Sequence, residues 1–103
     1  MLLNEETRKK INETLFKEYD GLVATHDEYT IAYWSRSLSI SLNTRDKRHC
    51  PQSRIDKVVQ AFPEIFSSGV YVKCDGTSPD FVRYDYTPAL VQEIEQMRKE
   101  YGE

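Results

Sequence analysis

Ser37-Leu38-Ser39-Ile40-Ser41-Leu42 alternates small polar and large aliphatic residues without a break. Successive side chains on a strand point to opposite faces, so Leu38, Ile40 and Leu42 share one face and the three serines the other. This pattern predicts a strand buried on one side only. Just before it, Tyr29-Thr30-Ile31-Ala32-Tyr33-Trp34 has the β-branched and aromatic make-up of a second strand. Leu22–Thr25 reads as a shorter strand, with His26-Asp27-Glu28 as the turn between the two. These connections are too short for a crossover, so the meander is expected to be antiparallel.

Helices flank this block. Asn4 can cap a first helix, with Glu5 and Glu6 where the helix dipole favours negative charge. Ile11, Leu15 and Tyr19 follow at helical spacing until Asp20-Gly21. After the polar stretch Asn43–Gln52, Ser53 and Asp56 suggest a capping box, with Ile55, Val59, Phe62 and Phe66 along one side. Pro63 should kink or restart that helix, and Ser67-Ser68-Gly69 should end it. Val70–Cys74 and Phe81–Tyr86 then read as a hairpin around an Asp, Gly, Ser and Pro-rich turn. Thr87-Pro88 is a strong start for a last helix carrying Leu90, Ile94, Met97 and Tyr101. The expected order is α-β-β-β-α-β-β-α, a single α+β domain over residues 1–103 with the helices mainly on one face of an antiparallel sheet.

Composition sets the class. The chain has 103 residues, 30% charged and 39% apolar, which suits a folded soluble domain. No apolar run approaches the ~20 residues that span a bilayer, so no membrane partner is expected. Met1–Lys10 turns charged after two leucines and lacks the apolar stretch of a secretory signal. Two cysteines do not make a disulfide framework, and reduced thiols point to the cytoplasm.

The net charge of −3 conceals a segregation. Residues 31–74 carry seven basic and three acidic groups, whereas the segments on either side each carry seven acidic groups against four or three basic ones. Either the centre is a positive patch, or the acidic ends neutralise it internally.

Catalytic and metal signatures fail on spacing. His49-Cys50 has no base or second ligand in register, and neither the C-x₂₋₄-C nor the H-x₃₋₅-H pattern occurs. Lys47 and Arg48 could lower the Cys50 pKa without giving it a catalytic role. Asp75 and Asp80 suit a hairpin's own hydrogen bonds better than a cation site. With four glycines and no phosphate-cradling loop, the sequence implies no cofactor, no metal and no enzyme.

Seven tyrosines are a stronger signal, five of them in predicted strands. Tyrosine on a rigid strand offers large contact area at small entropic cost, and arginine is the other usual interface anchor. The competing reading is ordinary β-propensity and core packing. The expected function is a small cytoplasmic interaction protein, an inhibitor or regulator docking on another protein. The candidate contacts are Tyr33, Arg36, Arg45, Lys47, Arg48, Arg54, Tyr71 and Tyr84. The alternative is a nucleic-acid binder that stacks bases on the strand aromatics and holds phosphates with the basic residues from Arg45 to Lys57. A homodimer is also open, with Phe81–Tyr86 as a candidate edge strand.

Overall fold

Three helices and a three-stranded antiparallel sheet make up the described residues, in keeping with the α+β class. The structure is a computed structural model that describes residues 2–22, 36–43, 50–74, 76 and 79–101. In chain order the elements are α1 (Glu5–Glu18), β1 (Ser37–Ser41), α2 (Gln52–Ala61), β2 (Phe66–Val72), β3 (Phe81–Tyr86) and α3 (Pro88–Glu100). The expected strands Leu22–Thr25 and Tyr29–Trp34 lie outside the described residues, apart from Leu22. That residue is in a turn, and its carbonyl accepts the Asn43 N–H at 2.8 Å.

The helix starts follow the chemistry of their caps. Asn4 Oδ1 accepts the Thr7 N–H at 2.8 Å and satisfies one of the otherwise unpaired donors of α1. Thr87 Oγ1 accepts the Leu90 N–H at 3.3 Å, and Pro88 occupies the first turn, where its missing donor costs nothing. The same hydroxyl donates to the Glu64 carbonyl at 2.8 Å, tying α3 to the turn before β2.

The start of α2 departs from expectation. Ser53 lies inside the helix, and extended Pro51 stands at the cap with no side-chain bond. Its carbonyl accepts from Arg54 at 3.0 Å and Ile55 at 3.4 Å, which opens the helix two residues early. Gln52 Nε2 donates to Asp56 Oδ1 at 2.9 Å, so Asp56 serves that side chain rather than a serine cap. Pro63 stops α2 instead of kinking it, because the residue before a proline is pushed out of the helical region.

The largest correction concerns Phe66–Gly69, which is strand and not helix end. Ser67 is the extra residue of a bulge: Phe66 faces Tyr86 while Ser68 faces Asp85. Gly69 then passes directly over the core. A Cβ there would lie 2.5 Å from Ile55 Cγ2 and 2.8 Å from the Tyr84 ring. A glycine inside a strand often marks such a close approach.

The sheet order is β1-β3-β2, so β3 is flanked on both sides and cannot act as the edge strand of a dimer. Its register pairs Leu38 with Tyr84 and Ile40 with Val82 on one face, and Ser39 with Arg83 on the other. The first face joins Ile11 and Leu15 of α1, Tyr19 at its C-cap, Ile55 and Val58 of α2, and Leu90 and Ile94 of α3 in one buried cluster. Each fully buried aliphatic side chain contributes ~1.5–3 kcal/mol relative to exposure. Phe66 packs on Tyr84 with ring centroids 5.0 Å apart.

Two polar devices close the ends. The Glu93 carboxylate on α3 accepts the Leu2 N–H at 2.6 Å and the Leu3 N–H at 3.1 Å, and Leu3 is fully buried. At the hairpin, fully buried Asp80 accepts the Tyr71 hydroxyl at 2.7 Å and the Cys74 N–H at 2.9 Å. Among the described residues no helix is long and apolar enough to cross a membrane.

Candidate functional site

Of the eight candidate contact residues, Tyr33, Arg45, Lys47 and Arg48 lie outside the described residues. The other four separate sharply. Tyr84 is fully buried and is no surface contact. The alternation of β3 puts it beside Val82 on the core face, where Gly69 and Phe66 cover its ring. Tyr71 is half-buried and its hydroxyl is committed to Asp80. Arg54 is half-buried on α2. Arg36 alone among the four is exposed, at the mouth of β1.

The charge segregation is partly resolved within the fold. Lys57 on α2 meets Glu18 of α1 at 3.0 Å, and Arg36 meets Glu95 of α3 at 3.4 Å. Both carboxylates come from the acidic terminal segments. For these two cations, internal pairing describes the arrangement. Arg83 on the open face of the sheet meets Asp85 at 3.2 Å. Such exposed pairs contribute only ~0–1 kcal/mol each.

Beside Arg36 lies a groove of about 450 Å³, lined also by Asp85, Tyr86, Pro88, Val91 and Gln92. It forms where β3 turns into α3. The Arg36 carbonyl accepts the Tyr86 N–H at 3.0 Å, which fixes the arginine backbone across from the start of that helix. The sequence marked only Arg36 here. The available signal for the rest was Pro88 followed by Val91 and Gln92 at the start of a helix.

Below the sheet, the hydroxyls of Tyr19 and Tyr84 hydrogen-bond each other, and Tyr19 also contacts Cys50. Burial pushes both phenols far above their ordinary range. It also raises the Cys50 thiol, against the weaker opposing pull of the Arg54 charge and the Tyr19 hydrogen bond. Desolvation of the buried sulfur outweighs the Arg54 charge, while Lys47 and Arg48, expected to lower this thiol, lie outside the described residues. Cys50 is 2% exposed, so this trio is part of the core and offers no reactive surface. Among the described residues, no three His, Cys, Asp or Glu side chains come together to hold a metal ion. No protein-family model, no curated protein and no solved structure matches this chain.

Proposed function

We propose that this chain is a small cytoplasmic interaction protein without enzymatic activity, an inhibitor or regulator that docks on another protein. The observation that supports this reading is the asymmetry of the sheet. One face is built into the core, while the other presents Ser39, Val70 and Arg83 to solvent. A partner can meet such a face without disturbing the packing of the core. Cys50 and Cys74 are not in a disulfide, which is in keeping with a reducing compartment.

The basic residues Arg45, Lys47 and Arg48 belong to the contact by sequence, together with exposed Arg36. Changing Arg45, Lys47 and Arg48 together to glutamate is expected to abolish capture of the partner from native cell extract while leaving the melting temperature nearly unchanged. Unfolding of that variant would make the patch structural and end the idea. Recovery of nucleic acid instead, with affinity falling steeply as salt rises, would favour a phosphate-binding role.

A further inference from the structure

The groove beside Arg36 limits what a partner must present, given the interaction reading above. Its floor is apolar: Tyr86 is buried, Val91 half-buried and Pro88 exposed. At its mouth the Arg36 side chain is 81% exposed and touches Glu95 through one nitrogen, at 3.4 Å. A single long contact between two exposed groups holds weakly, whereas a guanidinium binds a carboxylate best through two parallel hydrogen bonds. Asp85, the acid lining the groove, already engages Arg83 at 3.2 Å and the Ser68 hydroxyl at 3.2 Å. The lining charge best placed to turn toward a ligand is therefore positive.

We infer that this groove receives an acidic segment of a partner protein, with a carboxylate on Arg36 and a neighbouring apolar side chain over Tyr86, Pro88 and Val91. Glu95 is the internal stand-in for that carboxylate. It holds the arginine through that one contact and gives way when a better-aligned acid arrives. An aromatic or aliphatic residue beside the acid then covers the apolar floor, which a bare anion leaves open to water.

The test is a nuclear magnetic resonance titration of the full chain with phenylacetate, phenylacetamide and inorganic phosphate as probes. Phenylacetate is expected to shift the signals of Arg36, Val91 and Gln92, and the other two to shift them far less at equal concentration. Glu95→Gln is expected to tighten phenylacetate binding by about two- to fivefold, the range an exposed ion pair spans. Arg36→Glu is expected to abolish it. Both substitutions fall on exposed side chains, so both variants should melt with the parent. Unchanged affinity in Glu95→Gln overturns the stand-in role. Equal response to phosphate makes the site a general anion site and overturns the acidic-apolar assignment. No groove shifts with phenylacetate in any variant overturns the site. Concentration-dependent dimers that Arg36→Glu dissolves would place a second copy in the groove and also overturn the assignment. If the groove fails while the Arg45, Lys47 and Arg48 variant still loses its partner, the interaction reading stands. If that variant loses nothing, the reading falls too.

Discussion

On the helix-covered face of the sheet, one added methyl group at Gly69 would sit 2.5 Å from Ile55 Cγ2 and 2.8 Å from the Tyr84 ring. On the opposite face, Ser39, Val70 and Arg83 stand in solvent on the same three strands. The comparison separates what the fold needs from what a partner can use. Side chains on the first face are fixed by their neighbours in the core. Those on the second are held by strand geometry and by exposed contacts such as Arg83 with Asp85, and are open to selection for binding.

The comparison can be broken most forcefully at Tyr84. Tyr84→Ala is expected to lose ~3–5 kcal/mol in urea unfolding, the usual cost of removing a buried aromatic ring. A loss below ~1 kcal/mol would move Tyr84 back to the surface and erase the distinction. Gly69→Ala tests the opposite error, overfilling, and is expected to cost ~1–3 kcal/mol as Ile55 and the Tyr84 ring shift aside.

A smaller effect lies in the hydroxyls. Tyr84→Phe is expected to cost ~1 kcal/mol, because Tyr19 loses a buried hydrogen-bond partner. It should also change the response to alkali. The unfolded chain releases the Cys50 proton near its ordinary 9.0 and the phenol protons near 10.0, while burial holds all three protons in the folded chain. Stability from these groups is thus complete below the unfolded values and declines as pH rises through and beyond them. The urea midpoint of the parent is expected to fall from about pH 9 upward, and less steeply in Tyr84→Phe. A midpoint independent of pH in that range would show that the trio is solvated.

The smallest effects are expected on the open face. Arg83→Ser and Ser39→Thr should each change stability by less than ~0.5 kcal/mol. A larger loss from either would mean that this face is also structural.

Much of this division was legible in the sequence. Asn4, Thr87 and Pro88 act locally, so their caps could be read directly. The alternation in Ser37–Leu42 gave the two faces of β1. The same alternation in Phe81–Tyr86 places Tyr84 with Val82, and it outranked the general preference of tyrosine for interfaces. Phe66–Gly69 defeats a local reading because Ser-Ser-Gly has the composition of a turn, while a long-range demand, the Tyr84 ring beneath Gly69, makes it strand. Tyr19 meets Tyr84 across 65 positions, and Arg36 meets Glu95 across 59. No local pattern announces pairs so distant. The candidate groove was correspondingly less readable than the core, since only Arg36 stood out.

The Glu93 carboxylate holds the backbone of Leu2 and Leu3, some 90 positions away. A chain made from its N-terminus therefore carries Leu3 without its final burial until α3 has emerged. Docking of Leu3 is thus a late step on the ribosome, and a factor that shields nascent apolar segments must keep that residue covered while everything up to α3 is made.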